Sequence, residues 1–227
     1  PLESLRYVLS LCASTQDGPN PHRVLSVDVK RAYFYAPAKR PIYIELPVED
    51  RLPGEEDQVA QLNLSLYGTR DAAQNLTKEY TRALQAAGFT VGKASPCNFF
   101  HKEADMALSV HGDDFTSSGP EEDLVWLREK LSSRYDIKCT ILGPEAHQSQ
   151  EVKILGRTLR WSDAGIEYEA DPRHVEIILK QLNIGERKAV TTPGAKEEGH
   201  AKPGDLAASG VDEKLGADRH SVYRAIV

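Results

Sequence analysis

Two adjacent carboxylates, Asp113 and Asp114, follow His111 and Gly112 between two apolar runs, Met106 to Val110 and Phe115 to Ser117. Neighbouring acids repel each other, which costs stability unless a cation compensates. Hard oxygen donors of this kind suit magnesium. Gly and Asp also favour turns in their own right, so a solvated turn is the simpler account of the pair taken alone. A third acid, Asp28, stands near the end of the β-branched run Arg23 to Val29. A charge inside a buried strand is costly unless paired or metal-bound; Asp is equally at home where a turn begins. Together, one strand-end acid and a hairpin acid pair are the layout for two-metal phosphoryl transfer. One ion lowers the pKa of an attacking 3′-hydroxyl and the other steadies the leaving pyrophosphate, with the ions about 3.5–4 Å apart.

These acids need elements to position them. Leu5, Val8, Leu9 and Cys12 have helical spacing, and Asp17-Gly18-Pro19 breaks the chain after them. Arg23 to Val29 reads as a buried strand. Ile42 to Leu46 alternates as a short strand, and Val59 to Leu66 reads as another. Leu76, Tyr80, Ala83, Leu84 and Ala87 form one stripe of a helix over 74–87, which Gly88 stops. Asn98 to His101 and Met106 to Val110 predict a hairpin, with the acid pair in the turn that follows. Pro120 at a first helical position and acids behind it open a helix running to about Tyr135, with Leu124, Leu127 and Leu131 inward. Val152 to Trp161 and Ile166 to Ala170 flank a Ser162 to Gly165 turn. Asp171-Pro172 starts a helix with Val175, Ile178, Leu179 and Leu182 as its buried stripe. Interleaved helices and hairpin-joined strands favour an α+β fold with an antiparallel sheet and helices packed on one face.

The 227 residues, 40% apolar and 27% charged, suffice for a substantial core. No apolar run is long enough for a membrane span, and the first ten residues lack a signal-peptide pattern. Cys12, Cys97 and Cys139 are scattered without a CxxC pair, which argues against a cysteine zinc site and suits a reducing compartment. The formal charge of −6 counts against a chain that grips phosphates over its whole surface. The other histidines, His22, His101, His147, His174, His200 and His220, show no ligand spacing. Pro193 to Lys214 reads as a flexible connector. Pro1 and the apolar end at Tyr223 to Val227 suggest a piece cut from a longer polyprotein.

The segment Val27-Asp28-Val29-Lys30-Arg31-Ala32-Tyr33 resembles the first catalytic motif of copia-type reverse transcriptases. Ile42 to Pro47, Ser65-Leu66-Tyr67-Gly68, Gly88-Phe89 with Ser95-Pro96-Cys97, and His111 to Asp114 resemble later segments of that family, in order. Tyr135 to Lys138, Leu155-Gly156 and Tyr223-Arg224 fall where further family motifs fall. The resemblance implies a polymerase palm with partial fingers over 1–170, the start of a thumb or connection helix over 171–192, and a connector over 193–227. It implies an RNA-directed DNA polymerase region of a retrotransposon polyprotein. Asp28, Asp113 and Asp114 would hold two magnesium ions, with manganese as a substitute and the Val29 carbonyl as a further ligand. Tyr33 would lie under the incoming sugar and exclude a 2′-hydroxyl, a core aromatic being the plainer alternative for it; Gly68 would lie near the nucleotide. His111 would contact the primer, and Lys138 is a candidate general acid for the pyrophosphate, although a solvated surface lysine is the simpler account of it. The implied partners are template with primer, deoxynucleoside triphosphates, an upstream fingers segment and an RNase H region, with no membrane. The implied setting is intracellular, in a cytoplasmic virus-like particle or the nucleus.

The sequence departs from the family pattern in three places. His111 replaces an aromatic and Gly112 a β-branched residue, which is expected to loosen the turn. Asp71 stands in place of a Gln and is expected to set a negative charge near the nucleotide phosphates. Leu76 stands in place of a Trp. Two other classes stay open: a repurposed palm that binds nucleic acid or protein without polymerising, and a hairpin-acid enzyme such as a nucleotide cyclase, against which Ser65-Leu66-Tyr67-Gly68 argues.

Overall fold

The computed structural model describes residues 2–55, 57–169 and 172–182. The elements are α1 (Leu2–Ser14), β1 (His22–Val29), a 3-10 helix (Ala32–Tyr35), β2 (Tyr43–Glu45), a second 3-10 helix (Val48–Asp50) and β3 (Val59–Gln61). Then come α2 (Ala72–Ala86), β4 (Thr90–Val91), β5 (Asn98–His101), β6 (Met106–His111), β7 (Asp114–Pro120) and α3 (Glu121–Ser132). Last are β8 (Ile137–Leu142), β9 (Glu151–Ile154), β10 (Arg157–Ser162), β11 (Gly165–Glu169) and α4 (Pro172–Leu182). The chain divides into two compact units, 1–170 and 171–227.

In the first unit, six strands form an antiparallel sheet in the order β4-β5-β6-β7-β1-β8. β1 lies between β7 and β8 although both come about a hundred residues later. Alternation divides its side chains between the faces. Leu25, Val27 and Val29 join Leu108, Val110 and Phe115 in the core under α2 and α3, with Leu76, Tyr80, Leu84, Leu124, Leu127 and Leu131. Each large apolar side chain withdrawn there is worth roughly 1.5–3 kcal/mol. Val24 and Leu142, on the opposite face, pack with Leu5, Leu9 and Cys12 of α1 and with Ile154 and Leu159 of the three-stranded sheet β11-β10-β9. The fold is thus the expected α+β type, with α2 and α3 on one face and α1 covering part of the other.

Two charged groups hold the α2–α3 layer together. Glu79 is buried, and Arg134, just after α3, donates to it from Nε at 2.9 Å and again from its terminal nitrogen. Arg82 lies 3.6 Å from the same carboxylate.

Several boundaries differ from expectation. The run 152–161 is not one strand: Leu155 and Gly156 both have positive φ, 50° and 74°, and Ile154 pairs with Arg157 across them. This is a two-residue turn of the I′ kind, and a Leu at such a φ gives no sequence warning. β3 stops at Gln61, and residues 62–68 form a loop. Pro120 is the N-cap of α3 and closes β7, and the helix ends at Ser132. β8 is not among the expected strands; it forms because β1 offers it a partner. In the second unit only α4 is described, and Val175, expected to be buried, is 57% exposed. The expected connector at 193–227 lies outside the described residues.

Candidate active site

Strand register assembles a row of four polar side chains. His111 on β6 opposes Asp114 on β7, Asp114 opposes Asp28 on β1, and Asp28 opposes Lys138 on β8. Directly opposed residues in antiparallel strands project from the same face. His111, Asp28 and Lys138 are exposed and Asp114 is half-buried, so this end of the face is open. The neighbouring row is Ser109, Thr116, Ser26 and Thr140, all short hydroxyl side chains. The expectation that Asp28 is a charge in a buried strand is corrected. The alternate positions Val27 and Val29 enter the core, whereas Asp28 faces solvent.

Asp113 is brought to this row by its turn. Gly112 and Asp113 form the two-residue loop between β6 and β7, with φ of 66° at Gly112 and no positive φ at Asp113. That is a type II′ turn, which calls for Gly at its first central position. Gly112 therefore fits the turn and does not loosen it. The Val29 N–H donates to the Asp113 carbonyl at 3.1 Å, tying the turn to the end of β1 one residue from Asp28. Burial, and then the like charges of Asp113 and Asp28, raise the Asp114 carboxyl above its ordinary range, against a smaller opposing pull from His111. Among the described residues, no three His, Cys, Asp or Glu side chains converge closely enough to bind an ion as they stand. The donor chemistry nevertheless fits a hard divalent cation: three carboxylates share one end of a sheet, and burial, with the like charges of the other two, raises one of them.

Beside the acids lies an aromatic group. Tyr33, in the 3-10 helix after Arg31, meets the ring of Tyr67 edge-on at 4.6 Å, and Phe34 meets Tyr67 at 5.8 Å. Tyr67 occupies the second position of a β-turn closed by Thr69 N–H to the Leu66 carbonyl at 3.1 Å. Gly68, with φ of 88°, is the third residue, as a type II turn requires. Burial and then the charge of Asp113 raise the Tyr67 phenol, with Tyr33 and Asp28 adding to it. Gly68 is a site candidate by sequence, whereas Tyr67, in the same Ser65-Leu66-Tyr67-Gly68 segment, joins the site through its contact with Tyr33.

Charges at the margins are paired. Arg40 donates from Nε to Asp71 at 3.1 Å, and Asn75 donates to the same carboxylate at 3.3 Å. The Asp71 carboxyl is held below its ordinary range by Arg40, its own backbone N–H and Asn75, which together outweigh desolvation. The negative charge expected there is thus offset by a guanidinium. Asp136 accepts from Lys30 Nζ at 3.0 Å, and Arg31 lies 4.0 Å away.

Residues 1–196 match the family described as reverse transcriptase (RNA-dependent DNA polymerase). The chain belongs to the reverse transcriptase family. Its relatives place it among the copia-type retrotransposon sequences. It is 29% identical over 208 residues to the retrovirus-related Pol polyprotein from transposon TNT 1-94 of Nicotiana tabacum, a match covering 88% of this chain. The chain spans only 14% of that relative's length. Among solved structures, apo telomerase from Candida tropicalis is similar over 74% of this chain and 36% of its own, at 11% identity and a TM-score of 0.46. Telomerase from Candida albicans, solved with a fragment of telomeric RNA, is similar over 80% of this chain and 38% of its own, at 12% identity and a TM-score of 0.42. No helix among the described residues is long and apolar enough to cross a membrane.

Proposed function

We propose that this chain is the catalytic palm region of an RNA-directed DNA polymerase of a retrotransposon polyprotein. It extends a primer on an RNA or DNA template with deoxynucleoside triphosphates. One observation carries the proposal: in a chain of the reverse transcriptase family, strand register lines up His111, Asp114, Asp28 and Lys138 on an open face, with Asp113 tied beside Asp28. Asp28, Asp113 and Asp114 would hold two magnesium ions, with the Val29 carbonyl as a further ligand. Bound there, the ions supply a lowered pKa for the primer 3′-hydroxyl and neutralise charge on the leaving pyrophosphate.

The remaining roles belong to the chain itself. His111 hydrogen-bonds the primer backbone near its 3′ end. Tyr33 lies beneath the incoming sugar, where its ring excludes a 2′-hydroxyl by contact. The Gly68 turn lets the backbone come close to the nucleotide, because no Cβ stands in the way. Lys138, next to Asp28 across the strands, gives a proton to the departing pyrophosphate. Arg40 keeps the Asp71 charge from repelling the triphosphate.

Primer extension on an RNA template, with magnesium or manganese, tests the proposal in the wild type and in Asp113→Asn. Extension and manganese binding by the wild type, both abolished in the variant, are expected. Equal extension or equal manganese binding by the two proteins would remove Asp113 from the site. Because the chain spans a small part of its relative, the same pair is run in a longer polyprotein piece. A wild type that extends in neither setting would point to a palm that folds and binds without polymerising.

A further inference from the structure

Tyr67 has no part in the roles above, yet its ring packs edge-on against Tyr33, which also packs against the core. We infer that Tyr67 is a positioning residue for sugar selection: its ring holds the Tyr33 ring in the attitude that shuts out a 2′-hydroxyl. This rests on the proposed polymerase reading and on the place of Tyr33 in it.

Tyr33 sits on a four-residue 3-10 helix whose N-cap, Arg31, has φ of 53° and makes no side-chain capping bond. So short a helix sets its side chains weakly by itself. Its two tyrosines are instead fixed from outside. Tyr35 packs edge-on against Tyr135 at 5.1 Å, and its hydroxyl accepts the Asp136 N–H at 2.8 Å. Tyr33 has the corresponding edge-on contact with Tyr67, which also touches Phe34. Edge-to-face pairs at these spacings are a preferred aromatic geometry and carry directional energy.

The partner ring is itself anchored. The Ser65 N–H donates to the Ala36 carbonyl at 2.8 Å, and the Ala38 N–H to that of Asn63 at 3.0 Å, so the loop before Tyr67 is laced to the end of the 3-10 helix. Buried Asn75 donates to the Ser65 hydroxyl at 3.1 Å and to Asp71, which Arg40 holds in turn. Gly68 then sets the turn that points Tyr67 at Tyr33. Tyr67 is nevertheless 49% exposed, so its removal leaves the core intact. Its hydroxyl feels the charges of Asp113, Tyr33 and Asp28 and reaches the Ala32 backbone, so the ring and the hydroxyl are separated by comparing Ala with Phe at this position.

The test compares kcat/KM for dCTP and CTP, in whichever length of polyprotein extends a primer, for wild type, Tyr67→Ala, Tyr67→Phe and Tyr33→Ala. Discrimination against CTP should fall about tenfold in Tyr67→Ala while dCTP utilisation stays within about twofold, and Tyr67→Phe should match wild type. Unchanged discrimination in Tyr67→Ala overturns the inference. So does an equal loss in Tyr67→Phe, which would assign the effect to the hydroxyl. Unchanged discrimination in Tyr33→Ala instead removes the role proposed for Tyr33. A readout without catalysis is the 19F resonance of Tyr33 in fluorotyrosine-labelled protein. It should shift in Tyr67→Ala, and an unmoved signal overturns the inference even if no primer is extended.

Discussion

Replacing Gly112 by Val restores a β-branched residue to the turn that carries Asp113, and it should weaken the protein. A Cβ built on Gly112 meets no heavy atom within 4 Å, so there is no clash to relieve. The cost is conformational. Gly112 has φ of 66°, which is strained for any residue with a Cβ and worst for a β-branched one. Backbone placed in such a region costs of order 1–3 kcal/mol. A central value of about 2 kcal/mol lowers the melting temperature of a protein of this size by about 6 °C. Thermal melts in metal-free buffer should rank Gly112→Val below Gly112→Ala, and Gly112→Ala below wild type. If the turn escapes the strain by slipping one residue, Asp114 changes face and leaves the row. Manganese binding should then fall with stability. A Val variant that melts within about 1 °C of wild type would refute the II′ assignment and the fit claimed for Gly112.

Other consequences are more local. Gly68→Ala, at φ of 88° in open space, should cost about 1–2 kcal/mol in denaturant titration and should disturb Tyr67 with it. Arg134→Ala leaves Glu79 buried without its main partner and should destabilise by about 3 kcal/mol. Glu79→Gln should cost less, because half-exposed Arg134 can return to water; the reverse order in chemical unfolding would refute the account. Burial pushes the Cys12 thiol up to about 12 from an ordinary 9, so the unfolded chain loses this proton first as pH rises. Between about pH 9 and 12 this group should lower stability by about 1.4 kcal/mol per pH unit, and the slope should become shallower by that amount in Cys12→Ala, the raised phenols of Tyr80 and Tyr135 still contributing above about pH 10. Stability below pH 9 owes nothing to this titration, and alkylation of Cys12 should require unfolding.

The local elements and the chemistry at the tips of the strands are written in the order of the residues. Leu5 to Cys12, Leu76 to Leu84 and Leu124 to Leu131 repeat at helical spacing, and that period records which face must be hidden. The three acids were legible because Asp113-Asp114 falls in a glycine turn and Asp28 ends a β-branched run, signals carried by adjacent residues. Tertiary structure decided what those residues face. β1 inserts between β7 and β8, and only that pairing puts Lys138 beside Asp28 and leaves Asp28 in solvent. Tyr67 meets Tyr33, Arg40 offsets Asp71, and Arg134 satisfies Glu79 across gaps of 34, 31 and 55 residues, for which one sequence has no periodic signature. β8 depends on the same partnership, since a six-residue segment becomes a strand only when another strand is there to take its hydrogen bonds. Backbone preference is written in neighbouring residues, whereas partnership depends on which surfaces the whole chain must bury together.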